Sequence, residues 1–167
     1  MRAILPDVAS SFPGVNPIHP ALAALARAAK KQDFGEVEDA LHVALRKKEW
    51  LRPEHRVGDP SGYMRHLLYV DPEGEFVMTA ITWLPGQVSA IHGHQVWCVY
   101  GVAEGKLTEE RIEKNQSLVL GAGDMAEPDL DCTLVHRVSN RTKKPIVSLH
   151  LYGVSAANLT TGINRPA

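Results

Sequence analysis

The stretch Pro85-Gly86-Gln87-Val88-Ser89-Ala90-Ile91-His92-Gly93-His94 carries the strongest signal in the chain, because it sets two histidines one residue apart. A third, His136, follows in Val135-His136-Arg137-Val138-Ser139-Asn140. Side chains alternate along a β-strand, so residues i and i+2 point to the same face. His92 and His94 can therefore offer two imidazoles to one metal ion, and a distant strand can bring His136 as the third. The pattern predicts a metal site with open coordination positions.

Size and composition limit the classes of protein to consider. The chain has 167 residues, of which 44% are hydrophobic, enough for one domain with a real core. Its formal net charge is -1 and it has no long basic run, so neither nucleic acid nor an anionic membrane is an expected partner. We find no run of about 20 apolar residues that would span a bilayer.

Cysteine usage bears on the cellular compartment. Cys98 and Cys132 are too few for a disulfide framework. The first seven residues are interrupted by Pro6 too early for a secretory signal. We therefore expect a cytoplasmic protein, either a monomer or a small homo-oligomer.

The chain divides into a helical N-terminal segment and a β-rich remainder. Residues 20–31 are rich in strong helix formers, and residues 34–48 carry apolar side chains at helical spacing. The cluster Gly58-Asp59-Pro60-Ser61-Gly62 ends this region. We predict that residues 1–57 pack on a barrel formed by residues 58–167, the two making a single domain.

Short apolar runs separated by turn residues predict the strands of this barrel. Alternating charges in Glu109-Glu110-Arg111 and Glu113-Lys114 predict a solvated strand edge. The predicted strands lie at residues 63–70, 75–84, 96–103, 106–112, 117–120, 132–138 and 145–152.

The spacing of glycines and histidines resembles the two motifs of the cupin superfamily, a small double-stranded β-helix with its metal inside. The residues that carry the resemblance are Gly86, His92, His94, Cys98, Gly105, His136 and Asn140. The resemblance implies a mainly β, jelly-roll-like barrel with N-terminal α-helices. This chain departs from the common pattern, which has a glutamate ligand at the position of Cys98, so three neutral imidazoles remain.

A neutral three-histidine site leaves the choice of metal open. Iron(II) suits imidazole and would keep roughly three of six octahedral positions free for substrate and gas. Zinc would also accept three histidines and one water. Histidines outside this context, His19, His42 and His55, are expected at the surface.

Two further segments carry polar side chains at strand spacing. In Ser148-Leu149-His150-Leu151-Tyr152 the polar residues share one face, where they can serve one another as hydrogen-bond partners. Tyr63 and Arg65 share a face in the same way, and an arginine directed into a barrel needs an anion such as a carboxylate. The alternatives are a wet strand face for the first segment and a surface arginine for the second.

Together these segments resemble the thiol dioxygenases, the cysteine dioxygenase branch of the cupins. The resemblance implies that His92, His94 and His136 hold Fe(II). It assigns a catalytic relay to Ser148, His150 and Tyr152, and substrate binding to Arg65, the carboxylate clamp, with Tyr63 beside it. It also implies that Cys98 could form a thioether crosslink with Tyr152; the alternative is that Cys98 is a small buried hydrophobe.

The activity implied is addition of both atoms of O2 to the sulfur of a small carboxylate-bearing thiol, with thiol and O2 as the partners. In the family it resembles, members acting on 3-mercaptopropionate tend to have glutamine at the position of Arg65 and an arginine soon after the Tyr-Gly pair that corresponds to Tyr152-Gly153. The resemblance therefore favours L-cysteine, giving cysteine sulfinic acid, because this chain has Arg65 and no arginine in residues 154–162; Arg165 lies further along. The carboxylate-bearing thiols 3-mercaptopropionate and mercaptosuccinate are alternatives, because the binding free energies that distinguish such substrates differ by only a few kcal/mol. A non-catalytic metal-binding cupin is the alternative from another class.

Overall fold

The computed structural model describes residues 18–167, so residues 1–17 of the predicted helical segment lie outside the described part. Two helices open it, α1 (Ala23–Lys31) and α2 (Phe34–Lys47). The Asp33 side chain caps α2 by accepting a hydrogen bond from the backbone N–H of Glu36. Short 3-10 turns lie at Pro20–Leu22, Pro53–Arg56 and Ala156–Asn158.

Nine strands form two antiparallel sheets in the described part of the chain. The first has the order β1-β2-β8-β4 and the second the order β6-β5-β7-β3-β9. Every strand pairing within them is antiparallel. The strands are β1 (Met64–Val70), β2 (Val77–Trp83), β3 (His92–His94), β4 (Cys98–Glu104), β5 (Lys106–Arg111), β6 (Gln116–Gly121), β7 (Val135–Ser139), β8 (Ile146–Tyr152) and β9 (Asn164–Pro166).

The helices cover the outer face of the first sheet. Leu41 and Leu45 of α2 share a buried apolar cluster with Met78 of β2 and with Leu149 and Leu151 of β8. Strands β2 and β8 are consequently buried along their whole length, on the helix side and on the barrel side. Burial on both sides agrees with the composition of β2, in which only Thr79 and Thr82 interrupt the apolar residues and no charged residue occurs.

The structure moves one predicted strand boundary by three residues and adds two short strands to the seven predicted ranges. Strand β7 begins at Val135 rather than at residue 132, because Cys132 has a left-handed φ of 60° and stands outside the strand. Asp129 and Asp131 hold the turn that follows by accepting hydrogen bonds from the backbone N–H of Thr133. The two added strands are three residues each: β3, where the alternation of His92 and His94 had implied a strand outside the predicted ranges, and β9, which the sequence did not indicate.

The predicted solvated edge at residues 109–111 is wrong. Strand β5 lies between β6 and β7, so it is not an edge strand. Glu109 is 0% exposed and Arg111 is 6% exposed, whereas Glu113 and Lys114 are exposed. The charges are buried because Glu109 accepts hydrogen bonds from both His136 and Arg111. Across residues 18–167, no helix combines the length and the apolar character that crossing a membrane requires.

Candidate metal centre and substrate cavity

The three predicted ligands come together on two paired strands. Strand β3 presents His92 and His94 on the barrel side, and His136 of β7 lies opposite His92 in register. One ligand nitrogen from each imidazole lies within 4.8 Å of the others, which is close enough for one ion to draw them together. His94 and His136 are buried, whereas His92 is half-buried, so the group is most open to solvent on the side of His92.

The Nδ1 atom of each imidazole is occupied by an acceptor. His92 Nδ1 donates to the Ala90 carbonyl oxygen at 2.9 Å. His94 Nδ1 donates to Asp129 Oδ2 at 2.8 Å, and His136 Nδ1 donates to Glu109 Oε1 at 2.8 Å. In the tautomer that these contacts select, Nδ1 carries a proton and Nε2 is the atom left to bind a metal. His136 Nε2 is buried without a hydrogen-bond partner, as expected for a donor atom aimed at a metal.

The protonation state also suits metal binding. Burial lowers the pKa of His92 to about 4. It lowers the pKa of His94 as well, although the hydrogen bond to Asp129 opposes the change. Both rings are therefore neutral near pH 7, and a metal ion need not displace a proton to bind them. The donor set, its orientation and its charge all fit a divalent transition metal.

Glu109 is a functional candidate that the sequence analysis missed. Its second oxygen accepts a hydrogen bond from Arg111 Nε at 3.0 Å. Burial alone would raise the pKa of the carboxyl, but the hydrogen bond from His136 and the charge of Arg111 hold it below its ordinary value. The missed signal was the alternation that places Glu109 on the same strand face as the fully buried Leu107. Asp129, the partner of His94, lies in a loop, where no such periodicity exists.

The predicted relay is present as a chain of hydrogen bonds. Ser148 Oγ lies 2.8 Å from His150 Nε2, and His150 Nδ1 lies 3.0 Å from the Tyr152 hydroxyl. The alternative of a wet strand face is wrong, because all three side chains are buried. Two aromatic residues outside the prediction join the relay: Trp83 Nε1 donates to Ser148 Oγ at 3.0 Å, and Tyr100 stacks on His150 with ring centroids 4.6 Å apart.

Arg65 points into the barrel and is 4% exposed, so it is not a surface arginine. Its guanidinium carbon lies 5.3 Å from the centroid of the Tyr63 ring. Its Nε atom is buried without a hydrogen-bond partner, and none of the ion pairs within residues 18–167 includes it. A buried cation in this state calls for an anion from outside the chain.

One cavity is lined by the three histidines of the metal group, by the Tyr63 and Arg65 pair, and by His150 and Tyr152 of the relay. Asn164 of β9 also lines it, because β9 pairs with β3 and sets Asn164 opposite His94. The next residue, Arg165, packs against Gly93, whose absent side chain would meet the guanidinium carbon at 2.6 Å. Arg165 therefore lies close to the ligand strand but does not line the cavity.

Cys98 is the cross-strand partner of Tyr152, in register between β4 and β8. Both residues line the cavity, and Cys98 is 3% exposed. Burial raises the pKa of the Cys98 thiol well above its usual value, so the sulfur is a neutral thiol near pH 7.

The histidines of the N-terminal region, His19, His42 and His55, are half-buried rather than fully exposed, and none of them belongs to the metal group.

Solved structures with the same fold support the architecture. An uncharacterized conserved protein with a double-stranded β-helix domain from Klebsiella pneumoniae aligns over 62% of this chain and 87% of its own, with 20% identity and a TM-score of 0.53. A protein from Thermus thermophilus aligns over 60% of this chain and 91% of its own, with 20% identity and a TM-score of 0.52. At this identity the matches confirm the mainly β fold and nothing further.

The family is shown by a match along the sequence. The model of the family described as cysteine dioxygenase type I matches residues 22–158, which is most of the chain. That range contains the three histidines of the metal group, Arg65, and strand β8 with its hydrogen-bonded polar residues. The chain therefore belongs to the cysteine dioxygenase type I family and is a thiol dioxygenase.

Proposed function

We propose that the protein adds both atoms of O2 to the sulfur of L-cysteine, giving cysteine sulfinic acid, with ferrous iron held by His92, His94 and His136. The overall change is R–SH + O2 → R–SO2H, in which sulfur loses the four electrons that O2 gains. The choice of a carboxylate-bearing thiol rests on one observation, the buried Arg65 that has no ion-pair partner among the described residues.

Iron bound to the three histidines would supply adjacent positions for a thiolate and O2 while lowering the pKa of the thiol. The three imidazoles are already oriented for metal binding. All three Nε2 lone pairs are directed by hydrogen bonds made on the other side of each ring. Zinc would fit the same donors, so metal analysis belongs with the activity assay.

Arg65 and Tyr63 would hold the substrate carboxylate. A guanidinium donates two parallel hydrogen bonds to a carboxylate, which would satisfy the unpartnered Nε and offset the buried charge. Tyr63 is fixed in place by its ring contact with Trp83, with centroids 4.4 Å apart. Holding the carboxylate end of the molecule would direct its thiol end toward the histidines.

Tyr152 would act as a hydrogen-bond donor to the bound substrate or oxygen. Burial raises the pKa of its hydroxyl well above the ordinary value, so the group stays protonated at physiological pH. His150 and Ser148 hold it in position from behind. Donation from a fixed group costs no reorganisation when charge develops during the reaction.

We also propose that Cys98 and Tyr152 can form a thioether. Cross-strand partners on one face have Cβ atoms about 5 Å apart, which brings a thiol close to the edge of the phenol ring. Joining the sulfur to a ring carbon removes two electrons and two protons, and O2 would accept them. Peptide mass spectrometry after aerobic turnover should find linked peptides lighter by two hydrogens. If only unlinked peptides are found, Cys98 is a buried hydrophobe.

One observation favours a second substrate, 3-mercaptopropionate. The lining of the cavity within the described residues includes no aspartate or glutamate, so no carboxylate there is available to bind the ammonium group of cysteine. Cysteine would then depend on its amino group binding to iron, whereas 3-mercaptopropionate has no amino group to accommodate.

The test is oxygen uptake after anaerobic loading with Fe(II), with cysteine, 3-mercaptopropionate, mercaptosuccinate and cysteamine compared at equal concentration. We expect the highest kcat/KM with cysteine and a sulfinic acid product by mass spectrometry. A higher value for 3-mercaptopropionate would reassign the substrate. Absence of uptake with every thiol, at full iron occupancy, would contradict catalysis and favour a metal-binding role.

A further inference from the structure

A four-membered hydrogen-bond chain crosses the barrel interior and ends at the cavity. It runs from Trp83 Nε1 to Ser148 Oγ (3.0 Å), then to His150 Nε2 (2.8 Å), and from His150 Nδ1 to the Tyr152 hydroxyl (3.0 Å). Each of the four side chains is buried, so water does not compete along the chain. The positions of its protons decide whether Tyr152 presents a proton or a lone pair to the substrate.

Only the first of these protons has a fixed position. An indole N–H donates and cannot accept, so Trp83 must donate to Ser148 Oγ. The neutral His150 ring carries one proton, on either Nδ1 or Nε2, and this choice fixes the remaining bonds. Burial lowers the pKa of His150 well below its usual value, which keeps the ring neutral near pH 7.

The two arrangements differ in what becomes of the Ser148 proton. If His150 carries its proton on Nε2, it donates to Ser148, and the serine proton is left with the Ile81 carbonyl oxygen at 3.5 Å. That distance is at the outer limit of a hydrogen bond. If Ser148 instead donates to His150 Nε2 at 2.8 Å, the ring proton is on Nδ1 and passes to the Tyr152 oxygen.

We propose that Trp83 is a positioning residue that sets the direction of this chain, so that His150 is protonated on Nδ1 and Tyr152 directs its own proton into the cavity. The indole N–H fills one acceptor site of Ser148 Oγ and polarises its hydroxyl, which strengthens donation to His150 and weakens acceptance from it. The direction of the hydrogen bonds does not depend on the proposed function. Only the identity of the group that receives the Tyr152 hydrogen bond, substrate or oxygen, rests on it.

Packing around the chain keeps this arrangement from being lost by ring rotation. Tyr100 lies parallel to His150, with an interplanar angle of 6°. Trp83 is held by its contact with Tyr63, and its backbone carbonyl accepts a hydrogen bond from the Asn140 side chain. A Trp83→Phe change would therefore keep the aromatic contact while removing the N–H.

The matched control for this change is Trp50→Phe. Trp50 is 1% exposed in the helix-covered cluster, and its Nε1 donates to the Ala44 carbonyl oxygen at 2.9 Å. Both variants lose one buried indole hydrogen bond, but only Trp83→Phe changes the chain that ends at Tyr152.

The experiment reads the histidine tautomer directly, by long-range 1H–15N NMR of the full-length chain, metal-free and loaded with diamagnetic zinc. The His150 signals are assigned by their loss in His150→Gln. We expect the Nδ1–H tautomer in the wild type and in Trp50→Phe. In Trp83→Phe the ratio of Nδ1–H to Nε2–H should fall by about fivefold, the effect of losing one ordinary hydrogen bond.

An Nε2–H tautomer in the wild type would overturn the proposal even if no variant folds. An unchanged ratio in folded Trp83→Phe would also overturn it. With the iron-loaded enzyme, Trp83→Phe should lower kcat for the preferred thiol and leave KM unchanged. Because the NMR result needs no substrate, it can fail while the proposed activity stands, and the activity can fail while the tautomer is confirmed.

Discussion

Strand β8 is buried on both of its faces, yet the two faces have opposite chemistry. Leu149 and Leu151 pack under the helices, while Ser148, His150 and Tyr152 face the barrel interior. Burial stabilises the first face through apolar area removed from water. The second face is tolerated because its polar atoms bond to one another, with Trp83 completing the chain. Changes on the outer face should therefore affect folding, and changes on the inner face should affect chemistry.

The largest effect is expected on the inner side. His92→Ala should abolish activity and remove most of the bound iron, because two imidazoles cannot replace three. Iron content by elemental analysis and oxygen uptake measure both losses. His66→Ala is the control, since His66 contacts the Val57 carbonyl oxygen away from the cavity and should leave iron content unchanged. Full iron occupancy in His92→Ala would contradict its assignment as a ligand.

On the outer face, Leu149→Ala should lower the free energy of unfolding by about 3 kcal/mol, because Leu149 is 0% exposed and its loss leaves a cavity. Urea denaturation measures the change. Val119→Ala, at a position that is 65% exposed, should change stability little. The folded fraction of Leu149→Ala should retain normal KM; a raised KM would show that the two faces are not independent.

Tyr152→Phe should keep iron and lower kcat by about 100-fold, because a positioned hydrogen-bond donor to the reacting group is lost. Its stability should change less than that of Leu149→Ala. Tyr69→Phe, on the half-buried outer side of β1, is the matched control. Unchanged turnover in Tyr152→Phe would mean that the relay has only a structural role.

Glu109→Gln should weaken metal binding by about tenfold, because His136 would lose a charged acceptor that fixes its tautomer. Zinc titration by calorimetry measures this without depending on turnover. Glu110→Gln is the neighbouring control, because Glu110 pairs with Arg137 away from the ligands. Equal affinities for the two variants would remove Glu109 from the site.

An effect of about tenfold is also expected for Arg65, but on one substrate and not on another. Arg65→Gln should raise KM for cysteine by about tenfold, through loss of a charge-assisted pair with the carboxylate. Cysteamine, which lacks the carboxylate, is the control substrate, and its KM should change little. Steady-state oxygen uptake measures both values. Equal changes for the two thiols would contradict the role of Arg65 as a carboxylate clamp.

Sequence reasoning succeeded where the placement of side chains depends on local periodicity. The two-residue repeat put His92 beside His94, and it put Ser148, His150 and Tyr152 on one face, as the structure confirms. The same reasoning failed at Glu109, which was predicted to face solvent because it is charged. Leu107 lies two residues earlier on the same strand face and is buried, so the alternation predicts that Glu109 is buried too. The predicted division at residue 57 stays a prediction.

The sequence by itself indicated the family, two neighbouring candidate ligands in His92 and His94, and the polar face of β8, because each follows from residue types in a recognisable pattern along the chain. Only the tertiary structure decided which groups stand behind the ligands. Glu109 meets His136 across 27 residues and Asp129 meets His94 across 35. Such contacts depend on which strands and loops become neighbours, and that choice minimises buried, unpaired charge over the whole molecule rather than within any one segment.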